Sequence, residues 1–271
     1  MSGGSNIVRA GEAQARQALY EAIGNACRAA GIAPAKISRA CAGMAGAGRP
    51  EVREKVHAQL AGLLSCEIEI VGDMEIALEA AFGPGPGVVV IAGTGSIAYG
   101  RNSEGTTARA GGWGFAVSDE GSGQWIGRTA VAAALRSFDR GESTLLLEQL
   151  IQAWGLSSRE QLVLAVNATP APDFAGWFPV VVKAAESGDE IAGSVLTQAG
   201  RELAELALRV IGRLSGSAVA IPAAMSGGVF SHSSRVRQVF YNELHAARPD
   251  VVLRQEVVDP ADGALARARR C

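Results

Sequence analysis

The chain has 271 residues, of which 48% are hydrophobic and 19% are charged, and its formal net charge is −2. This length holds one large domain or two of ordinary size, and the apolar fraction excludes a disordered chain. The balanced charge offers no basic surface to nucleic acid, and the most apolar run, residues 88–92, is far too short to cross a bilayer. We therefore expect neither nucleic acid nor a membrane as a partner.

The cysteines and histidines predict neither a disulfide framework nor a metal site. The four cysteines stand alone without a CxxC pair, and the three histidines are scattered along the chain. Isolated cysteines are typical of a reducing compartment. The first residues show no signal-peptide pattern. We therefore expect a cytoplasmic protein without a zinc or iron site.

The first part of the chain predicts alternating helices and strands. Apolar side chains on one face predict a helix over residues 11–31. The next predicted elements are a strand at 37–42, a helix at 50–64, a strand at 67–72 and a short helix ending at 82. This alternation favours an α/β fold.

Residues 84–87, Pro-Gly-Pro-Gly, are the clearest break in the chain and mark a domain hinge. After the break we predict strands at 88–92, 97–101 and 106–109, a helix at 120–137, mostly helical chain over 143–214, a strand at 218–225, a helix at 233–247, a strand at 251–254 and a last helix at 260–270. The hairpin after residue 88 adds antiparallel strands, so the sheet should be mixed.

A glycine turn follows the buried strand at 88–92, with the sequence Gly93-Thr94-Gly95-Ser96. The backbone N–H groups of such a turn can cradle a phosphate, and the two hydroxyls add donors. It is not a Walker A loop, and a strand rather than a helix follows it, which excludes a dinucleotide fingerprint. The alternative is a plain β-hairpin.

Trp113 lies between glycines, and Asp119 stands just before an expected helix. A sugar site commonly combines an apolar ring with carboxylate acceptors, so both residues are candidate sugar contacts. Core packing would explain Trp113 equally well. A helix N-cap would explain either Asp119 or Glu120.

Two further candidates follow predicted strands, at the place where ligands gather in open α/β sheets. Asp73 could accept a hydroxyl proton as a kinase base does, although it could also cap the helix that follows. Gly227 and Gly228 would let a ligand approach the backbone closely. By themselves they fit a structural turn better.

In this order, the motifs resemble the N-acetylglucosamine kinase-like branch of the BadF/BadG/BcrA/BcrD-type ATPases, relatives of hexokinase, actin and the 70-kDa heat-shock chaperones. The resemblance covers essentially the whole chain. It rests on GMAGAGRP at 43–50, Asp73, IAGTGS at 91–96, GGWG at 111–114, DEGS at 119–122 and SGGV at 226–229. The succession of GTGS, GGWG and DEGS is its specific part.

The resemblance implies an actin-like ATPase fold, in which two ribonuclease-H-like α/β lobes with mixed sheets face a cleft. Residues 1–86 and 257–271 would form the first lobe, and residues 87–256 the second. It also implies ATP and Mg²⁺ as cofactors. The implied reaction is ATP-dependent phosphorylation of a hydroxyl of a small amino sugar, of the N-acetylglucosamine or glucosamine class.

The resemblance further implies roles for single residues. Asp73 would be the general base on the sugar hydroxyl. The second phosphate loop would comprise Gly93, Thr94, Gly95 and Ser96. Gly227 and Gly228 would lie against the adenosine.

The implied sugar contacts are Asn6, Gly46, Trp113 and Asp119. Ala45 stands where some relatives carry serine, so one hydroxyl contact is expected to be missing. The family also begins with a strand, a loop of the form Asp-Gly-Gly-Gly-Thr-Lys-Thr and two more strands, whereas this chain matches only after them. We therefore expect an incomplete first lobe, an exposed sheet edge that favours a homodimer, and impaired phosphoryl transfer.

Two other functions stay open. One is the ATPase that activates 2-hydroxyacyl-CoA dehydratases or benzoyl-CoA reductases, an iron–sulfur protein, although no cysteine here lies near the glycine turns of the second lobe. The other is a sugar-binding sensor without catalysis, which would keep Trp113 and Asp119. Sugar binding without turnover would distinguish the sensor from a kinase.

Overall fold

The fold is described from a computed structural model, which covers residues 12–214 and 221–270. The chain divides into two compact units. Unit 1 comprises Met1–Pro84 and Asp259–Cys271, and unit 2 comprises Gly85–Val258. Each unit contains its own sheet with helices, which agrees with the predicted α/β class.

Unit 1 has a small parallel sheet with helices beside it. Its first elements are α1 (Glu12–Ala30), β1 (Arg39–Met44), α2 (Pro50–Ala61), β2 (Glu67–Gly72) and α3 (Asp73–Phe82). β1 and β2 pair in parallel, with Arg39 opposite Glu67 and Met44 opposite Gly72. The segments that follow the two strands therefore leave the sheet at the same edge.

Local sequence explains where these helices begin and end. Gly31, at φ +66°, follows the last residue of α1 in a conformation that favours glycine. Pro50 opens α2, where its missing N–H leaves no bond unmade. The Gly72 N–H donates to the Glu75 carboxylate at 3.0 Å, which fixes the start of α3.

Unit 2 is built on a five-stranded mixed sheet. Its elements are β3 (Gly87–Ala92), β4 (Ser96–Arg101), β5 (Thr107–Gly111), α4 (Gly123–Asp139), α5 (Leu145–Ala153), α6 (Arg159–Val166), α7 (Phe178–Glu186), α8 (Glu190–Leu214), β6 (Ala223–Ser226), α9 (Gly228–His232), α10 (Ser234–Ala247) and β7 (Leu253–Val258). The strand order is β5-β4-β3-β6-β7. β3 is antiparallel to β4 and parallel to β6, so it joins the two halves of the sheet.

The core of unit 2 lies between this sheet and its helices. Val88, Val89 and Val90 of the central strand β3 are completely buried, and such continuous apolar runs are typical of strands covered on both faces. α8 supplies many of the other buried side chains. Although α8 has 25 residues, no helix in the described part of the chain is both long enough and apolar enough to span a bilayer.

Several predicted boundaries need correction. The strand predicted at 37–42 lies at Arg39–Met44, and the one predicted at 251–254 lies at Leu253–Val258. α4 begins at Gly123 rather than near 120, because the Ser122 hydroxyl accepts the Trp125 N–H at 3.2 Å and caps the helix. The short helix α9 was not predicted. The first residues of the strand predicted at 218–225 lie outside the described residues.

The last helix, α11 (Pro260–Ala268), belongs to unit 1 and packs against α3. Gly263 lies directly against the backbone of Ile76 and Ala80, with no room for a side chain. Two ion pairs lie nearby, from Arg267 of α11 to Glu69 of β2 and from Arg270, just beyond α11, to the buried carboxylate of Glu79 in α3. The close contact of α11 with α3 therefore depends on a glycine at 263.

We predict that Gly263→Val destabilises the protein, because the added side chain would push α11 away from α3. The expected loss in the free energy of unfolding is about 1–3 kcal/mol, measured by urea unfolding. Gly212→Ala is the control, since Gly212 is exposed in helix α8 with no atom within 4 Å of an added Cβ. It should be neutral or stabilising by up to about 1 kcal/mol. Equal stability of Gly263→Val and the wild type would contradict this packing.

Candidate functional site

Three segments of unit 2 leave the sheet at one edge. The register pairs Ala92 with Ser96, Ile91 with Ser226 and Ile97 with Gly111. The turn after β3, the segment after β5 and the turn after β6 therefore begin side by side. We call this the functional edge of unit 2, because all the candidate site residues predicted beyond residue 87 lie on it.

The turn between β3 and β4 is held from outside by the start of α4. The Gly123 N–H donates to the Gly93 carbonyl at 2.8 Å, and the Gln124 N–H donates to the Thr94 carbonyl at 3.3 Å. No atom lies within 4 Å of a Cβ added to Gly93. The turn is thus fixed on one side and open at Gly93, as a phosphate-binding turn must be.

Asp119 and Gly95 are brought into contact, although they are far apart in sequence. Asp119 is buried, and a Cβ on Gly95 would lie 2.9 Å from its Oδ2 atom. In the described part of the chain, Asp119 is the one non-glycine residue with a positive φ, +67°. Such strained backbone is common at binding and catalytic sites. The structure therefore joins the predicted sugar carboxylate to the predicted phosphate turn.

Ser96, which was predicted as a hydroxyl donor to phosphate, has a different position. It is the first residue of β4 and is buried. Its hydroxyl donates to the Glu120 carbonyl at 2.7 Å. Because the hydroxyl makes this hydrogen bond, the Ser96 side chain links the turn to the segment around Asp119. Thr94 stays a candidate hydroxyl donor.

Trp113 is not a core residue, because 67% of it is exposed. The Arg109 guanidinium carbon lies 4.2 Å from the centre of the indole ring, a cation–π contact. Phe115 is also exposed, and the Arg128 Nη1 donates to its carbonyl at 3.4 Å. Two arginines therefore hold this loop, and the exposed area of the ring is available to a ligand.

Gly227 and Gly228 have different environments. Gly227 has φ +98°, and an added Cβ would lie 2.5 Å from the carbonyl oxygen of Ala92. Residue 227 therefore has to be glycine for the end of β6 to approach β3. This agrees with the alternative that the two glycines form a structural turn. Gly228 has open space around its Cβ position, so a ligand could approach the backbone at this residue.

Unit 1 has an edge of its own, at which Asp73 and Gly46 follow neighbouring strands. Asp73 is half-buried, and the Met74 N–H donates to its Oδ1 at 2.9 Å. Burial raises the pKa of this carboxyl above its ordinary value of 3.8, although the bond from Met74 opposes the rise. Gly46 is exposed with φ +83°. Asn6 lies outside the described residues.

Comparison with known proteins identifies the family. The model of the BadF/BadG/BcrA/BcrD ATPase family matches residues 1–268. The chain belongs to this family. A curated relative from Clostridium acetobutylicum, an N-acetylmuramic acid/N-acetylglucosamine kinase, is 35% identical over 271 residues, which cover 98% of this chain and 89% of the relative. An N-acetyl-D-glucosamine kinase of Dictyostelium discoideum is 29% identical over 236 residues, covering 84% of this chain and 74% of that protein.

Solved structures confirm the fold class of this BadF/BadG-family chain. A Chromobacterium violaceum protein, described provisionally as an N-acetylglucosamine kinase, superposes with a TM-score of 0.75 at 27% identity, covering 99% of this chain and 89% of that one. A Porphyromonas gingivalis protein gives a TM-score of 0.68 at 23% identity over 94% and 83% of the two chains. The similarity to the Porphyromonas gingivalis protein supports the fold alone. The predicted α/β fold of the actin-like ATPase type is thus confirmed.

The described cysteines of this family member give the iron–sulfur alternative no support. Cys27, Cys41 and Cys66 are free thiols and all belong to unit 1, whereas the glycine turns belong to unit 2. Burial and the nearby charge of Glu69 raise the pKa of Cys41 to about 11, so this thiol stays protonated. In the residues that the structure describes, no three His, Cys, Asp or Glu side chains are grouped to hold a metal ion.

We predict that Asp73→Asn raises the stability of the protein at neutral pH. Burial disfavours the ionised carboxylate, so the folded state loses stability as the pH rises through the ordinary pKa and then the raised pKa of Asp73. Asparagine removes the charge and keeps an acceptor for the Met74 N–H. The free energy of unfolding of the variant should exceed that of the wild type at pH 7. The difference should shrink as the pH falls towards 3.8, and urea unfolding at several pH values measures it. A difference that grows at lower pH would refute the assignment.

Proposed function

We propose that the chain is an ATP-dependent kinase that phosphorylates a hydroxyl of an amino sugar of the N-acetylglucosamine class. The observation that carries the proposal is the contact of the Asp119 carboxylate with Gly95. It brings an acceptor for sugar hydroxyls beside a turn suited to phosphate. The kinase names of the 35% and 29% identical relatives support the same reaction.

The phosphate turn would act through its backbone. Phosphoryl transfer needs little covalent help from the protein and depends on positioning and charge stabilisation. In our proposal, the N–H groups of Thr94 and Gly95 donate to the phosphate oxygens, while the Gly93 N–H donates to the Gly95 carbonyl at 2.9 Å and closes the turn. Mg²⁺ arrives as part of the substrate Mg-ATP, since it is usually held by phosphates and few protein ligands. Gly228 lies against the adenosine.

Sugar binding would combine a carboxylate with a ring. Asp119 accepts hydrogen bonds from sugar hydroxyls, and its strained backbone keeps the carboxylate in place before the sugar arrives. Trp113 offers its exposed ring to the apolar face of the sugar. We keep Asn6 and Gly46 as further proposed sugar contacts.

Asp73 would be the general base. It takes the proton from the reacting sugar hydroxyl while the hydroxyl oxygen attacks the γ-phosphorus of ATP. The bond from that phosphorus to the β–γ bridging oxygen breaks, and ADP leaves. The raised pKa of Asp73 makes its carboxylate a stronger base than that of an ordinary aspartate.

The two alternatives are less well supported. The relatives reported above are kinases, which does not favour an activator of a dehydratase or reductase. A sensor would bind sugar without releasing ADP. The cytoplasmic location and the homodimer stay predictions.

We predict that Asp73→Asn lowers turnover by about a hundredfold or more, the usual size of a general-base effect. The sugar Kd should change by no more than a few-fold, because the base acts on the hydroxyl in the transition state. A coupled ADP-release assay with N-acetylglucosamine and Mg-ATP measures turnover, and calorimetry measures binding. Asp139→Asn, at an exposed aspartate of α4, is the control. Turnover of Asp73→Asn near the wild-type rate would show that another group is the base.

A further inference from the structure

A short turn of 3₁₀ helix, Phe174–Trp177, packs against the start of α4. Gly127 of α4 lies directly against the Phe174 carbonyl, with no room for a side chain. Trp177 is buried in the core of unit 2, and its ring centre lies 4.0 Å from that of Trp154. We call Phe174–Trp177 the aromatic turn. Its own packing in the core fixes its position.

Gly123, the first residue of α4, lies between the aromatic turn and the phosphate turn. A Cβ added to Gly123 would lie 3.2 Å from the Gly93 carbonyl oxygen and 3.4 Å from the Ala175 Cβ. The start of α4 is therefore packed between the two turns. A displacement of the aromatic turn would move the start of α4, and the phosphate turn would follow.

Gln124, the second residue of α4, makes a hydrogen bond to each of these turns. Its backbone N–H donates to the Thr94 carbonyl at 3.3 Å, and its side-chain Oε1 accepts the Ala175 N–H at 2.7 Å. Asp173 Oδ1 also accepts the Ala175 N–H, at the longer distance of 3.3 Å. Gln124 is buried, and a buried polar side chain is costly unless it is hydrogen-bonded. The bond from Ala175 is therefore the specific contribution of a glutamine at this position.

The planarity of the peptide bond links the start of α4 to the phosphate donors. In a trans peptide the C=O and N–H groups point in opposite directions. The Gly93 carbonyl shares its peptide plane with the Thr94 N–H, and the Thr94 carbonyl shares its plane with the Gly95 N–H. Both carbonyls accept from the first two N–H groups of α4. The N–H groups of Thr94 and Gly95 therefore point away from the helix, and the position of the helix start sets their direction.

We propose that Gln124 is a positioning residue for these two phosphate donors, because it fixes the start of α4 to the aromatic turn. The inference rests on the proposed function and extends it to a side chain outside the glycine motifs. Donors that are oriented before the phosphate arrives need less ordering when it binds. Gln124 therefore acts through Thr94 and Gly95.

The test compares Gln124→Met with the wild type, using the whole chain. Methionine has a similar length but no acceptor for the Ala175 N–H. Calorimetry with pyrophosphate should give a Kd about fivefold higher, the size of one lost hydrogen bond. Hydrogen exchange without ligand, measured by mass spectrometry, should be faster in peptides that contain residues 93–96. Peptides from β6 and β7, in the same sheet, should exchange as in the wild type.

Two further variants separate positioning from a general loss of stability. Gln161→Met removes the same kind of bond just before α6, where Gln161 Oε1 accepts the Ser157 N–H at 2.9 Å. This control should leave pyrophosphate binding and the exchange of residues 93–96 unchanged. Gln124→Glu keeps an acceptor for the Ala175 N–H, so residues 93–96 should exchange at the wild-type rate.

Wild-type pyrophosphate binding and wild-type exchange in Gln124→Met would overturn the positioning role of Gln124. Faster exchange throughout unit 2 in that variant would overturn it too, since it would indicate a purely structural role. Failure of the wild type to bind pyrophosphate would instead overturn the proposed function. In that case the exchange of residues 93–96 would still decide whether Gln124 positions the turn.

Discussion

The candidate site depends on the close contact between the Asp119 carboxylate and Gly95. Hydrogen bonds from Ser96 to Glu120 and from Gly123 to Gly93 hold the two segments together on either side of it. The turn after β3 and the loop after β5 therefore form one body. A site fixed in this way needs little ordering when ligands bind, so more of the interaction energy is available for affinity and catalysis.

The sheet explains why these segments meet. β3 pairs with an antiparallel neighbour on one side and a parallel neighbour on the other, so strand ends that are distant in sequence reach one edge. α8 then crosses from this edge to the opposite one behind the sheet. In the proposed function, sugar hydroxyls bind at Asp119 and phosphates bind at the turn after β3, so both ligands lie along this edge.

The sequence predicts local features well and tertiary ones poorly. β2 and the start of α3 follow from the alternation and from Gly72-Asp73, and the glycine turns stand where strands end. The role of Ser96 could not be predicted, because its partner Glu120 lies 24 residues away. The start of α4 was predicted too early, because Ser122 rather than Asp119 or Glu120 accepts the Trp125 N–H and caps the helix.

The central claim is that the contact between Gly95 and Asp119 shapes the sugar site, and calorimetry of Gly95→Ala with N-acetylglucosamine tests it most directly. The added Cβ would lie 2.9 Å from Asp119 Oδ2 and displace the carboxylate. Sugar binding should weaken about tenfold or more, which is about 1.4 kcal/mol. Gly176→Ala, at an exposed glycine with open space around its Cβ position, should bind normally. An unchanged sugar Kd in Gly95→Ala would contradict the account.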